Sequence, residues 1–129
     1  MIKFIDLEQK EPFQKFKDFY DDAVEANQIL VQAISISSFS NTKNEVDSRF
    51  VNLKAIKDKE FIFFSNYNSP KSEQFSEHNQ ISAVFFWNSI NVQIRMKGLI
   101  KKTSNEFNKE YFSNREFSKN ALAISSNQS

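Results

Sequence analysis

The sequence predicts a mostly β fold with flanking helices, in which the strands form one antiparallel barrel. Five strand-like runs follow one another with mostly short polar connections, and an amphipathic helix precedes them. A chain of 129 residues, 40% of them hydrophobic, has the length of one domain and can bury one core. We expect a single domain over residues 1–129, with a helix at about 12–26, the barrel at about 28–102 and a helical tail at about 104–129.

The first element is a helix opened by Pro12, a residue that suits the first helical position. Apolar side chains recur there at steps of three and four, at Phe13, Phe16, Tyr20 and Ala23. This spacing places them on one face, so the pattern predicts an amphipathic helix.

The strand-like runs occupy residues 29–38, 48–57, 60–65, 81–87 and 90–102. A polar break at 40–45 reads as the connection of a hairpin. Between the third and fourth strands we expect a short helical segment at 72–78, with Ser69 as its N-cap. Thr103 and Glu106 have the spacing of a capping box, which predicts the start of a final helix.

The composition excludes several classes of function. With 17 basic and 16 acidic side chains, the net charge of +1 indicates neither nucleic acid nor a membrane as a partner. The absence of cysteine excludes disulfides, CxxC redox pairs and thiolate zinc sites, and it fits the cytoplasm. The one glycine, Gly98, cannot supply a Walker loop or a GxGxxG turn. The N-terminus lacks the pattern of a targeting segment, so we expect a cytoplasmic protein.

Side chains for single-residue catalysis are scarce. The only histidine, His78, lies in a polar stretch and is expected on the solvated surface, which argues against a Ser/His/acid hydrolase and a histidine metal pair. The unusual feature is a set of basic and amide side chains within otherwise apolar strands, at Arg49, Lys54, Gln93 and Arg95. Each needs an acidic partner, an exit to solvent or a bound anion, and spacing alone leaves these alternatives open.

Arg49 and Lys54 pose a geometric question. They are five residues apart, and a flat strand would turn side chains at that spacing to opposite faces. A bulge, or a site reached from both faces, must reconcile them if they serve one ligand.

Several runs of residues form a series of motifs in register. Residues 49–54 read Arg-Phe-Val-Asn-Leu-Lys, similar to R-x-V-L-L-K, and residues 61–67 are similar to F-x-F-Y-T-N-Y. Further along, 69–71 is similar to S-R-K, 85–87 to F-x-W, 93–98 to Q-V-R-x-x-G, 111–115 to Y-F-x-x-R and 128–129 to Q-S. In order and spacing, the chain resembles the pyridoxamine/pyridoxine 5′-phosphate oxidase family over about residues 11–129.

The resemblance implies an FMN-binding split β-barrel of the Greek-key type, which works as a homodimer and holds FMN between its subunits. The positions that it implies for FMN contacts are Arg49, Phe50, Val51, Asn52, Leu53, Lys54, Phe64, Ser65, Lys71, Gln93, Gln128 and Ser129. The positions implied for the phosphate of a B6 substrate are Lys54, Tyr111, Arg115 and Lys119. Lys71 also lies at the start of a predicted helix, where backbone N–H groups favour a phosphate.

The resemblance also implies a reaction. A hydride would pass from the 4′ carbon of pyridoxamine or pyridoxine 5′-phosphate to the flavin, and O2 would reoxidise the flavin, giving pyridoxal 5′-phosphate and peroxide. Anchoring both rings by their phosphates would be the task of the protein, and no catalytic side chain or metal is implied.

The sequence departs from the family pattern at several positions. Pro70 replaces an arginine expected on the FMN phosphate, Phe64 replaces a tyrosine, and Lys119 stands where the family has a serine. The family continues beyond Q-S with a tryptophan for the flavin and an Arg-x-His group for the substrate. The alternatives are therefore a truncated, non-catalytic homologue that binds FMN or a B6 phosphate, and another split-barrel flavin reductase. Ordinary salt bridges with residues such as Asp47 or Glu110 are the structural alternative for the cations.

Overall fold

A computed structural model describes residues 1–66, 78–103 and 119–126. Its elements are β1 (Lys3–Ile5), α1 (Glu11–Glu25), β2 (Ala33–Ser40), β3 (Glu45–Lys57), β4 (Glu60–Asn66), β5 (Gln80–Trp87), a 3-10 turn (Asn88–Ile90), β6 (Val92–Lys102) and β7 (Lys119–Ser126). The predicted segment at 72–78 falls outside the described residues except for His78, and so does most of the tail predicted at 104–129.

The predicted antiparallel barrel is confirmed. Strands β3, β2, β5, β6, β7 and β4 are hydrogen-bonded in that order, and pairing of β4 with β3 closes the ring of six. β1 was not predicted because it has only three residues; it adds to β3 in parallel at the edge. Within the described residues, no helix has both the length and the hydropathy needed to span a membrane.

The helix α1 covers the barrel with an aromatic face. As predicted, Phe13, Phe16, Tyr20 and Ala23 are its buried residues. The ring of Phe16 lies 5.3 Å from that of Phe61, 5.4 Å from that of Phe85 and 5.5 Å from that of Trp87, measured between centroids. Burial of such large apolar rings supplies much of the driving force for folding.

The two buried polar groups of this aromatic cluster are satisfied. Trp87 donates its indole N–H to the carbonyl of Val31 at 2.9 Å, and the hydroxyl of Tyr20 accepts the backbone N–H of Ile2 at 2.8 Å. The helix, the N-terminus and the barrel are thus fixed to one another by directional contacts as well as by apolar packing.

The second strand begins later than predicted. Residues 29–32 form a turn, and β2 starts at Ala33, because Asn27 and Leu30 adopt left-handed backbone angles with φ of 60° and 54°. Ile29 and Leu30 are consequently exposed, although their apolar side chains suggested a buried strand.

Asparagine and aspartate do the work of glycine in the turns. Among the described residues, six other than glycine have positive φ, and five of them are Asp6, Asn27, Asn44, Asp58 and Asn91. Short polar side chains tolerate the left-handed region better than others do, which explains how a chain with one glycine makes its tight turns. Leu30 is the exception and stores local strain.

The tail prediction is wrong for residues 119–126, which form the strand β7 rather than a helix. Alanine and leucine in this segment favour helix locally. Tertiary pairing overrides that preference, because β7 satisfies the facing edges of both β4 and β6 and so completes the barrel.

Gly98 is required where β6 meets β7. A Cβ atom at this position would lie 2.4 Å from the backbone oxygen of Ser125, too close for any side chain unless the strand moves. The single glycine of the chain therefore permits the close approach of β7 rather than a turn.

We predict that Gly98→Ala destabilises the fold by about 1–3 kcal/mol, because the added methyl group forces the two strands apart. Chemical denaturation would measure the loss. Lys102→Ala, at an exposed position of the same strand, is the matched control and should change stability by less than about 0.5 kcal/mol. Equal stability of Gly98→Ala and the native chain would contradict the close approach.

Candidate functional site

The predicted site residues of β3 alternate between two faces of the strand. Val51 and Leu53 are buried in the barrel core, whereas Phe50, Asn52 and Lys54 are exposed on the outer face. Arg49 is half-buried on the inner side, because it pairs with the core residue Ile36 of β2. The first motif, residues 49–54, therefore has side chains on both faces of β3.

A bulge is present, which is one of the two solutions that the spacing of Arg49 and Lys54 allowed, but it leaves the two on opposite faces. Leu53 pairs with Phe63 and Ala55 pairs with Ile62, so Lys54 is the extra residue on β3. The bulge turns Ile56 into the core and does not bring Lys54 to the side of Arg49. Of the two solutions offered by the sequence, a site reached from both faces is the one compatible with this geometry.

The bulge also marks the point at which the barrel splits. Residues 45–52 of β3 pair with β2, whereas Leu53 and residues 55–57, on either side of the bulge, pair with β4. β4 pairs with β7 along its whole length, but its pairing with β3 ends at Phe63, and no described strand pairs with the other edge of 45–52. We call this gap between β3 and the end of β4 the split.

The split exposes backbone groups of the motif. The N–H of Leu53 bonds to the carbonyl of Gln32, on the β2 side, at 2.8 Å. Because neighbouring residues of a strand point their backbone groups in opposite directions, the N–H and C=O groups of Asn52 and Phe50 face the split. Phe64 and Ser65 continue β4 along its other margin.

Arg49 lies on the segment of β3 that borders the split. One guanidinium nitrogen donates to the hydroxyl of Ser38 at 2.7 Å and to the carbonyl of Ile36 at 3.2 Å. Burial lowers the pKa of Arg49, and the nearby carboxylate of Asp47 acts in the opposite direction. An ordinary salt bridge, the structural alternative for this cation, thus has some basis in Asp47. Glu110, the other acidic residue considered, lies outside the described residues.

Gln93 lies on the far side of the barrel from these residues. It belongs to β6, which is three strands away from β3 in either direction around the ring. Its side chain is exposed on the outer face, together with those of Arg95 and Lys97. Within one copy of the chain, Gln93 cannot contact the same small ligand as Arg49 or Lys54.

The outer face of β3, β2, β5 and β6 carries exposed aromatic rings. Phe50 is 74% exposed and Phe86, the cross-strand partner of Gln93, is 61% exposed. A pocket of about 350 Å³ on this face is lined by Ser82, Gln93, Arg95, Met96 and Lys97. Large apolar rings in solvent on a sheet face are typical of an interaction surface.

The remaining predicted positions are only partly described. Lys119 begins β7 and pairs with Asn66 at the end of β4, so its backbone lies at the margin of the split. The positions that lie outside the described residues are Lys71, Tyr111, Arg115, Gln128 and Ser129.

His78 differs from the solvated surface histidine that the sequence suggested. It is half-buried, its ring packs edge-on against Phe39 at 5.8 Å, and its Nδ1 atom is buried without a hydrogen-bond partner in the part of the chain that the structure describes. A polar flanking sequence concealed this, because the contact with Phe39 joins residues far apart in the chain.

Comparison with known proteins gives a consistent family relation, although no protein-family model matches the chain. A pyridoxine/pyridoxamine 5′-phosphate oxidase of Colwellia psychrerythraea is 36% identical over 118 residues, which are 92% of this chain and 54% of that protein. The chain is a relative of the pyridoxine/pyridoxamine 5′-phosphate oxidases. It spans about half the length of the curated relatives it matches.

Solved structures share the fold of this oxidase relative. PhzG from Burkholderia lata, in complex with tetrahydrophenazine-1-carboxylic acid, superposes with a TM-score of 0.72 at 21% identity, covering 78% of this chain and 49% of that one. An FMN-binding protein from Nostoc punctiforme, described as related to pyridoxamine 5′-phosphate oxidase, has a TM-score of 0.65 at 10% identity and covers 80% and 55%. At these identities the likeness establishes the split-barrel fold and not the ligand.

The contact between Arg49 and Ser38 yields a prediction about stability. Ser38→Ala should lower the free energy of unfolding by about 1.5–3 kcal/mol, because the partly buried guanidinium of Arg49 loses a charge-assisted hydrogen bond. Ser37→Ala is the control: this neighbour faces outward and shares an exposed hydrogen bond of 2.6 Å with Ser48. Denaturation curves in which both variants lose the same stability would rule out a special role for the Arg49 contact.

Proposed function

We propose that the chain binds FMN at the split and uses it to oxidise pyridoxamine or pyridoxine 5′-phosphate to pyridoxal 5′-phosphate, with O2 as the acceptor. The observation that carries the proposal is the half-buried cation Arg49 at the rim of a gap in the barrel wall. A partly desolvated guanidinium gains most from an anion that can approach it, and the phosphate of FMN is such an anion.

The backbone at the split supports binding of a flavin ring. The backbone N–H and C=O groups of Phe50 and Asn52 that face the split supply hydrogen-bond donors and acceptors in a fixed geometry. The edge of a flavin ring that carries nitrogen and oxygen atoms needs both. Val51 and Leu53 point into the core, so we assign their part in the motif to backbone position and strand rigidity rather than to side-chain contact. Phe64 and Ser65 would close the other margin, and Lys71, Gln128 and Ser129 are proposed to add phosphate and ribityl contacts.

Gln93 supports a homodimer with a shared site. Because Gln93 lies across the barrel from Arg49, it can address the same flavin only from a second copy of the chain. In such a dimer the outer face of β6 in one copy meets the split of the other, and the exposed rings of Phe50 and Phe86 are covered. The two sites would be equivalent by symmetry.

Lys54 is proposed to hold the phosphate of the B6 substrate. It is exposed on the outer face next to the split, where a second ligand could lie against the flavin. Tyr111, Arg115 and Lys119 would complete this anion site. Bound FMN would supply the hydride acceptor, and the chain would orient the two rings and exclude water between them.

A non-catalytic homologue that binds FMN or a B6 phosphate is the second candidate. Pro70 in place of an arginine favours it, since the phosphate of FMN loses a cation there. The oxidase and the FMN-binding form of this homologue both require FMN binding, and only the oxidase requires turnover. The reductase alternative is less well supported, because it gives no role to Lys54 on the outer face.

The discriminating experiment is to add FMN to the purified chain, measure bound flavin, and then add pyridoxine 5′-phosphate under air. We expect bound flavin together with formation of pyridoxal 5′-phosphate. Lys54→Ala should raise the KM for the substrate roughly tenfold or more and leave FMN affinity within about twofold, because one charged phosphate contact is lost. Lys59→Ala, an exposed lysine in the turn after β3, is the control.

The possible outcomes separate the candidates. Bound flavin without turnover supports the binding homologue, and failure to bind flavin rejects both. Equal losses of FMN affinity and substrate use in Lys54→Ala would contradict the division of labour between Arg49 and Lys54.

Mixing two defective variants tests whether the site is shared. Arg49→Ala and Gln93→Ala should each weaken FMN binding in a homodimer, in which both copies carry the same substitution. In a mixed dimer one of the two sites receives both wild-type residues, so statistical exchange should restore native affinity to about a quarter of all sites. Fluorescence titration of the mixture would reveal that population, and its absence despite exchange of subunits would argue for a site within one copy.

A further inference from the structure

We propose that a shallow pocket beside His78 binds a phosphate group or a similar oxyanion. The pocket has a volume of about 230 Å³ and lies at the end of β2, β3, β5 and β6. Its lining residues are Ser37, Ser38, Phe39, Val46, His78, Gln80, Ile81, Ser82 and Lys97. The proposal is independent of flavin binding, and the family motifs include neither His78 nor the combination of His78 with Lys97.

The imidazole of His78 has an unsatisfied nitrogen. Its Nδ1 atom is buried and has no hydrogen-bond partner among the described residues. Buried polar atoms without partners are rare, since each costs free energy, and they often mark a site that a ligand or water completes. The Nδ1–H tautomer or the imidazolium can donate a hydrogen bond to an oxyanion.

The position of His78 is fixed by its neighbours. Its ring packs edge-on against Phe39, and the next residue, Asn79, accepts the backbone N–H of Ile100 on β6 at 2.8 Å. These contacts hold the imidazole beside the outer face of β5 and β6. The atom without a partner therefore belongs to a ring that packs against a neighbouring strand.

The side chains that line the pocket give it a positive charge. The ammonium group of Lys97 makes no ion pair with any residue in the described ranges 1–66, 78–103 and 119–126, and the lining contains no carboxylate. Lys97 pairs across β5 with Ser82, which pairs with Ser37 on β2. One cation and two hydroxyl groups thus lie in a row across three strands, about 5 Å apart from strand to strand.

Arg49 adds positive potential from the inner side. Ser38 lines the pocket, and its hydroxyl accepts a hydrogen bond from Arg49 at 2.7 Å. Phe39, Val46 and Ile81 supply an apolar wall that limits hydration of a bound anion. Hydroxyl donors, a lysine and an imidazole around such a wall match the chemistry of a phosphate.

Because the chain has one histidine, the imidazole NMR signals report on this pocket alone. We expect titration with inorganic phosphate, at constant pH and ionic strength, to shift the His78 side-chain resonances in a saturable way. Lys97→Gln should weaken that binding roughly tenfold, because it removes a charged donor from an exposed position. Lys59→Gln, with the same change of charge on the β3–β4 turn, should leave the affinity unchanged.

Two further arms distinguish the source of the phosphate. If the pocket receives the phosphate of FMN, then FMN shifts the His78 signals, riboflavin does not, and inorganic phosphate competes with FMN. If it receives a separate anion, inorganic phosphate shifts the signals even when FMN is already bound. Either result supports the anion site.

The proposal is overturned if phosphate produces no saturable shift at His78 in a folded chain. It is also overturned if Lys97→Gln and Lys59→Gln bind phosphate equally well. Loss of flavin binding with an intact phosphate response at His78 would instead reject only the proposed oxidase function, so the two failures remain distinguishable.

Discussion

The division of β3 between two partners is the constraint on which the rest of the molecule depends. Its first half hydrogen-bonds to β2 and its second half to β4, with the bulge at Lys54 between them. In a barrel without a gap, each strand pairs along both of its edges over its whole length. Residues 45–52 of β3 pair with β2 alone among the described strands, so the wall opens beside Arg49, and the backbone groups on the other edge of this segment face the opening.

An open wall is tolerated because the remainder of the barrel is firmly closed. The aromatic cluster of α1 packs against Phe61, Phe85 and Trp87, and β7 joins β4 to β6. The close approach that Gly98 permits lets β7 complete this wall. Stability is thus concentrated away from the split, which allows a partly desolvated charge, and backbone groups without a partner among the described strands, to persist there.

Local sequence patterns predicted those elements whose side chains face one buried environment. The steps of three and four in α1 reflect a single apolar face, and the prediction of its buried residues is confirmed. The prediction of a helical tail was wrong for residues 119–126. Pairing of this segment with β4 and β6, which are distant in sequence, outweighs the helix preference of alanine and leucine. The start of β2 was misplaced because Leu30 occupies a left-handed turn that hydrophobicity alone does not reveal.

The candidate site shows the same limit. Motif spacing pointed to Arg49 and Lys54 as candidate site residues. Because they are five residues apart, an odd number, the sequence correctly raised the question whether they lie on opposite faces of the strand. No sequence pattern could indicate that Ser38 would contact Arg49, or that Phe39 would pack on His78, since both contacts depend on how strands pair. Residues that act through cross-strand neighbours require the register, and the register is a tertiary property.

Inner and outer faces of the barrel wall meet at Ser38, and this connects the two proposals. Arg49 reaches the hydroxyl of Ser38 from the inner side, while His78 and Lys97 lie around the pocket that Ser38 also lines. Gln93 is four residues from Lys97 on the same outer face, roughly 13 Å along the strand, so one phosphate cannot contact both. A second copy that covered Gln93 would therefore leave the His78 pocket at the border of the interface rather than at its centre. An anion held there would neutralise Lys97 next to the partner and reduce its repulsion from Arg49 and Lys54, the cations beside the partner's split.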